Sequence, residues 1–400
     1  MDKTCAAKGM PMTTPASEAA ILAWLAAQQD AMLRLLEEVV NIDSGSYDKA
    51  GVDAVGECFK RFFREHGLIT TSEPHTTYGE AIHVRCDRAE TDRPIVLLGH
   101  RDTVFPPGEA RRRPFRIDNG HAYGPGVADM KGGLVMNAFV LAAFKRFGGA
   151  PAPLAGLVTA DEEIASPSSR PIIERVGRGA RCVFNAEPGR ATGNIVTGRK
   201  GGLFLAFEIF GRAAHSGGNF EHGISAIAEL AHKILAMHAL TGFEPGITVN
   251  VGLVKGGQSV NTTAPHASGE IDLRYREASQ RATALAALQR IVDSATIPGA
   301  TAKLELRGEF LPVTSTPRSQ ALFDRYRSAA ASVGLDLDGE FTGGCADSGF
   351  TAAVGCPTLC GLGPVGAHAH TPQEYLEVAS LVPRAQALAL CIRRLPPQSA

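Results

Sequence analysis

Residues 95–104 read IVLLGHRDTV. Four apolar residues run into a glycine, and His100 and Asp102 follow at once. A short unbroken apolar run is the pattern of a strand buried on both faces, as in parallel sheets flanked by helices. In open α/β sheets, functional groups collect just beyond the carboxyl ends of the strands. The histidine and aspartate are therefore expected at the rim of a core, where polar chemistry and apolar packing meet.

Outward from this stretch the first half alternates between helical and extended patterns. Residues 19–40 and 55–66 carry apolar side chains at helical spacing, as do residues 133–147. AIHVRC (81–86), LAGLVTADEE (154–163) and RCVFNAEPG (181–189) read as further strands. Such alternation predicts an α/β layer structure with a mostly parallel sheet. From about residue 201 the character changes. GGLFLAFEIFG, ITVNVGLVKGG, ASGEIDLRY and AKLELRGEF are extended, and most alternate with period two; helical patterns occupy 222–240 and 282–294. The order strand, helix, strand, strand, helix, strand predicts an inserted α+β, ferredoxin-like unit at 201–312. Residues 1–200 and 313–400 then form the first domain, with helices at 319–334 and 379–394 and a buried strand in CPTLCGLGP. A chain of 400 residues is long enough for two cores.

Composition narrows the function classes. Apolar residues make up 44% and charged residues 20%, as in globular proteins. With 40 basic against 41 acidic residues, there is no electrostatic case for nucleic acid or an anionic membrane. No segment reads as a membrane span of about 20 apolar residues. The first residues lack a signal-like apolar core and look frayed, and the eight cysteines form no CxxC pairs. A cytoplasmic location is the expectation, with Cys356 and Cys360 as small apolar residues around a strand.

Polar residues recur at the ends of the predicted strands. His100 and Asp102 follow the first, Glu162 and Glu163 follow LVTAD, and Glu187 follows CVFNA; His368 and His370 follow CPTLCGL and its glycine loop. Asp129 lies in GPGVADMKGG, at the entry to the next helix. Singly, each has a structural explanation: a hydrogen-bonded HxD, a solvated Glu pair, a turn. Together they would place carboxylates and imidazoles at one sheet edge, and buried carboxylates must be paired or metal-bound. No arginine is evident at those ends, so cations are the expected neutralisers. Imidazoles with carboxylates suit Zn(II), or Co(II) and Mn(II), and five ligands suit two ions sharing one carboxylate. A metal pair about 3.5–4 Å apart polarises a carbonyl and lowers the pKa of bound water towards about 7.

GHRDTV, YGPGVADMKGG, TADEE, NAEPG and HTPQEYLEV occur in this order. With VNIDSGSYD and GGCADSGF, they make nearly the whole chain resemble the di-zinc peptidases of the aminoacylase and glutamate carboxypeptidase family, peptidase family M20. The resemblance implies that His100 and Glu187 bind one metal, Glu163 and His370 the other, and that Asp129 bridges them. It implies Glu162 as general base, Asp102 as the partner of the His100 ring, and two divalent ions, most simply Zn2+, with Co2+ or Mn2+ as alternatives. In an extended segment, Glu162 and Glu163 would point to opposite sides, leaving one free of metal. The inserted domain becomes a lid that also forms a homodimer, with His215 reaching over the reacting carbonyl. Arg274 and Asn261 match positions that bind the substrate's free carboxylate, and Lys200, at the base of the lid, would add positive charge. Arg274 is read equally as an outward-facing strand residue, and Lys200 as a hinge-side surface lysine. Asp347 is either a pocket residue or an N-cap, and Arg101 is expected to face away from the metals.

The implied reaction is hydrolysis of a peptide or N-acyl amide beside a carboxylate-bearing amino acid, with C-terminal glutamate leading. An N-acetyl-amino-acid deacylase of the acetylornithine deacetylase type, a dipeptidase and an inert metal-binding scaffold are the alternatives. The small substrate is the only partner expected beyond a second copy of the chain.

Overall fold

A computed structural model describes residues 17–86 and 93–397. The strand Ile95–His100 is buried at every position and lies inside a six-stranded sheet. It runs parallel to Leu154–Thr159 on one side and to Cys182–Asn185 on the other, and the latter runs parallel to Thr358–Leu359. Beyond Leu154–Thr159 the sheet continues with two antiparallel neighbours, Ala81–Arg85 and Ile69–Glu73. The parallel strands therefore deliver their carboxyl ends to one edge. Cys356 and Cys360, on either side of Thr358–Leu359, are buried free thiols.

Helices close both faces. Gly133–Phe147 is buried from Gly133 to Phe144 because apolar side chains occupy its whole circumference. Its first residue must be glycine: a Cβ there would lie 1.9 Å from the carbonyl oxygen of Ala186, beside Glu187. The segment Val127–Phe147 is long and apolar enough to cross a membrane, contrary to the sequence-based expectation, but 94% of its window is buried inside the protein. It is a core helix. The predicted helix at 19–40 is two helices, Glu18–Ala26 and Gln29–Val40, and the next begins earlier than expected, spanning Lys49–Glu65. Its early start follows from Asp48, whose carboxylate accepts the Gly51 amide at 3.1 Å and caps the helix. The predicted frayed segment lies outside the described residues.

A separate four-stranded antiparallel sheet has the order Thr248–Gly256, His266–Tyr275, Gly201–Phe210, Thr301–Phe310. Leu203, Leu205, Phe207 and Ile209 alternate with less buried residues and pack under the helices Ala226–His238 and Gln280–Asp293. Period-two alternation and one covered face go together, since only half of each strand is withdrawn from water. The edge strand Thr248–Gly256 exposes Leu253 and Val254.

Arg101 follows His100 but turns the opposite way, as expected. Its fully buried guanidinium donates to the carbonyls of Val52 (2.9 Å), Val158 (3.3 Å), Thr159 (3.2 Å) and Glu80 (2.6 Å), and to Asp53 Oδ1 (3.2 Å). One side chain thus ties the first long helix, the sheet and the loop before Ala81. Arg101→Ala would strand these acceptors and should lower unfolding free energy by about 3 kcal/mol or more. A denaturant midpoint equal to the parent's, at unchanged slope, would contradict this account.

Candidate active site

The strand ends bring five predicted residues into two triads. His100, Asp129 and Glu187 offer ligand atoms within 4.8 Å of one another, and so do Asp129, Glu163 and His370. Asp129 belongs to both: Oδ1 lies 3.3 Å from His100 Nε2 and Oδ2 lies 3.3 Å from His370 Nε2. Glu187 Oε1 is 3.7 Å from His100 Nε2, and Glu163 Oε2 is 3.1 Å from His370 Nε2. His370 comes from a left-handed backbone position, as does His368, which lines the same cavity but belongs to neither triad.

The donor set fits divalent cations. His100 Nδ1 donates towards the carbonyl oxygen of Asp102 at 3.1 Å, which leaves Nε2 as the ring atom that faces the triad. His100 Nε2, Glu163 Oε1 and Glu187 Oε1 are buried without a hydrogen-bond partner. Buried atoms of this kind ordinarily find a partner, and here they converge. The charges are also strained against one another. Burial, then the Asp129 charge, pushes Glu163 up to about 7 and raises Glu187 as well. Burial holds Glu162 well above the ordinary carboxylate range, with His100 opposing and Glu187 reinforcing the shift. Asp129 goes the other way: burial would raise it, but the adjacent His100 and His370 imidazoles outweigh that and lower it. Hydrogen bonds to Asp129 and Glu163 take His370 up to about 11. Protons are thus being held where cations would serve better.

Glu162 Oε2 is 3.9 Å from His100 Nε2, and Glu162 belongs to neither triad. The expectation of an extended Glu162–Glu163 pair is wrong: both lie in a single 3-10 turn, Glu162–Ile164. Asp102 makes that turn. Its carboxylate accepts the amides of Glu162 and Glu163, each at 3.1 Å, and the Ser46 hydroxyl at 2.6 Å, while Oδ1 stands 3.3 Å from His100 Nδ1. One buried carboxylate therefore orients both acids and the imidazole.

The notion that no arginine serves the cluster is also corrected. Buried Arg199 places Nη2 3.7 Å from Glu187 Oε2, held there by the carbonyls of Gly344 and Cys345 and by Cys360 Sγ. Arg199 and Arg190 line the cavity containing Asp129, Glu162, Glu163, Glu187 and His370. The clue to Arg199 was available: it ends the strand Ile195–Arg199, which the sequence reading passed over. Asp347 starts the helix Ser348–Ala353 without capping it; instead it accepts Thr159 Oγ1 at 3.1 Å and the Ser166 hydroxyl, with burial raising it to about 7.

The remaining predicted residues stand apart. His215 and Asn261 are exposed neighbours on the inserted sheet domain: the His215 and Thr262 backbones pair, and Asn261 O accepts the Ser216 amide at 3.0 Å. Neither lines the metal cavity. Arg274 grips Asp272 through Nε and Nη2 (2.6 and 2.8 Å) and reaches the cavity rim through Cys345 Sγ at 2.7 Å. Lys200 donates its amide to Thr342 O at 3.1 Å and is half-buried between the two sheets' segments.

Glu374 holds the bridging residue. Its buried carboxylate accepts the amides of Gly126 (3.1 Å), Ala128 (2.9 Å) and Asp129 (3.0 Å). Glu374→Gln replaces an acceptor oxygen with a donor facing these amides. It should weaken metal affinity about 10- to 100-fold with the fold intact, read by competition with a chromophoric chelator.

Comparison with known proteins agrees with this geometry. Residues 96–394 match the sequence profile of peptidase family M20/M25/M40. The chain is 27% identical over 366 residues to carboxypeptidase G2 of Pseudomonas sp. (strain RS-16), covering 89% of this chain and 87% of that one. It is 28% identical over 342 residues to acetylornithine deacetylase of Erwinia tasmaniensis, covering 80% and 85% respectively. The M20 family metallo-carboxypeptidase of Sulfolobus solfataricus shares the fold, with a TM-score of 0.76 at 17% identity over 90% of this chain and 98% of that one. A profile matched over most of its length, on a fold whose strand ends gather two carboxylate–imidazole triads, makes this chain a member of the M20 family of metal-dependent peptidases and amidohydrolases.

Proposed function

We propose that the protein hydrolyses the amide bond of an N-acyl or peptidyl amino acid that carries a free carboxylate, with glutamate as the leading residue. The observation that carries this reading is Glu162, a buried acid beside two triads and a member of neither. His100, Asp129 and Glu187 would hold one divalent cation and Asp129, Glu163 and His370 the other, Zn2+ being the first choice for this donor set. When bound, such a pair supplies Lewis acidity to a carbonyl and acidity to water.

The chain's own residues divide the remaining work. Glu162 takes a proton from the attacking water on its carboxylate and returns it to the leaving amine, for which a raised affinity for protons is the useful condition. Asp102 keeps the His100 tautomer and the Glu162 turn in register. Arg199 and Arg190 give the cavity the positive charge that a substrate carboxylate requires, and Arg274 stands at its rim. His215 and Asn261 would reach the oxyanion on closure of the inserted domain or from a second copy docked at the exposed Thr248–Gly256 edge. Similarity to carboxypeptidase G2 supports glutamate, and the comparable similarity to acetylornithine deacetylase supports a deacylase as the second reading.

Glu162→Ala should lower kcat by about 10²- to 10⁴-fold while two metal equivalents remain bound. Full activity in that variant would remove Glu162 from its role. Dialysis against chelator should abolish hydrolysis and Zn2+ or Co2+ should restore it; turnover by verified metal-free protein would overturn the mechanism. N-acyl derivatives of glutamate, phenylalanine, lysine and ornithine, differing only in the carboxyl-side residue, separate the carboxypeptidase reading from the deacylase.

A further inference from the structure

His368 and His370 both adopt left-handed backbone, with φ of 59° and 65°. A β-carbon disfavours that conformation, so two such residues in close succession require a loop that is held in place by its surroundings. Inside the loop, the Thr371 amide and hydroxyl both donate to the His368 carbonyl, at 3.2 and 2.7 Å. Glu374 donates its amide to the Thr371 carbonyl at 3.2 Å. These bonds close the loop on itself, but they do not tie it to the rest of the protein.

Arg113 makes that tie. Its Nη1 donates to the Pro372 carbonyl at 3.0 Å, two residues after His370. Among the described residues, this is the one hydrogen bond that residues 368–373 share with another element, the approach of His370 to the acids aside. Two further contacts aim the guanidinium. Nε donates to the buried carboxylate of Glu109, and the guanidinium carbon lies 4.8 Å from the centre of the Phe105 ring. Glu109 opens a short helical turn, Glu109–Arg112, which Asp43 pins by accepting the amides of Gly108 (2.7 Å) and Ala110 (2.8 Å). Arg113 Nη2 is buried without a partner, a loss that the other contacts outweigh. The neighbouring Arg112 also bonds Glu109, but it is exposed and makes no hydrogen bond to the loop among the described residues.

We propose that Arg113 is a positioning residue for the cation held by Asp129, Glu163 and His370: by fixing Pro372 it sets the direction of the His370 imidazole. The inference rests on the two-triad reading above and on no particular substrate. It separates the two sites. His100 ends a strand, Asp129 lies at a helix entry and Glu187 follows the strand Cys182–Asn185, so none of the other triad belongs to the loop that Arg113 holds. Asp129 is shared, but its amide is held by Glu374, which makes no hydrogen bond to Arg113. Loss of Arg113 therefore weakens one site and spares the other, whereas loss of the Glu374 carboxylate disturbs the residue that both sites share.

The test is a Co2+ titration of metal-free protein against a chromophoric chelator, which yields two stepwise affinities. His370→Ala marks the step that needs the imidazole. Arg113→Ala should weaken that step about tenfold or more and leave the other within about twofold. Arg113→Lys has a single nitrogen, which cannot serve Glu109 and Pro372 together. It should shift the same step by a smaller factor, and it carries the test if Arg113→Ala does not fold. Arg112→Ala should shift neither step. Equal weakening of both steps in the Arg113 variants, no weakening of either, or the same selective loss in Arg112→Ala overturns the proposal. The readout is metal affinity, so failure to cleave any chosen amide leaves the proposal standing. A parent that binds only one Co2+ removes the two-cation reading itself, and the proposal with it.

Discussion

Asp129, Glu162, Glu163 and Glu187 are packed within reach of one another at the end of a sheet, and this mutual repulsion is the constraint on which the structure turns. A buried, uncompensated carboxylate costs several kcal/mol, so the arrangement persists only with positive charge among the oxygens. The protein supplies some of it through Arg199 and the two imidazoles. The unpaired oxygens of Glu163 and Glu187 and the aimed Nε2 of His100 mark where cations complete the balance. Glu162, left outside both triads, is pushed by burial and by the Glu187 and Glu163 charges towards its protonated form.

Such a cluster must be held against its own repulsion, and two acids behind it do this with backbone amides. Asp102 gathers the amides of Glu162 and Glu163, and Glu374 gathers those of Gly126, Ala128 and Asp129. Each converts a flexible loop into a fixed one by satisfying donors that would otherwise point into the protein unpaired. The residues so joined are far apart in sequence, with Glu374 and Asp129 separated by 245 positions. The Gly133 contact against Ala186 supplies the same rigidity from the other side, where only a hydrogen atom fits.

Much of this was legible in the sequence because it depends on period and position. An unbroken apolar run ending at His100 indicates a doubly covered strand, and the recurrence of acids after such runs indicates a shared rim. What escaped depends on direction. Nothing in TADEE tells a 3-10 turn from an extended end, since the difference lies in hydrogen bonds from Asp102, about sixty residues away. Arg199 was missed because its strand was not recognised and its guanidinium is held by carbonyls of a distant loop. Asp347 reads from sequence as either a pocket residue or a cap; it caps nothing, and its partners are Thr159 and Ser166. His215 and Asn261 stand close together on the second sheet, but neighbouring one another is different from reaching the acids.

The contrast between two cavities gives the site its polarity. Both open onto Glu163, and they differ in charge: arginines line one, and the other, walled by Tyr47, Val104 and Phe105, has no cation among its described lining residues. A carboxylate set against Tyr47 and Val104 would carry an uncompensated charge into low dielectric, a larger penalty than any gain from apolar contact there. The charge difference between the two cavities is therefore what distinguishes one side of the site from the other, with Glu163 between them.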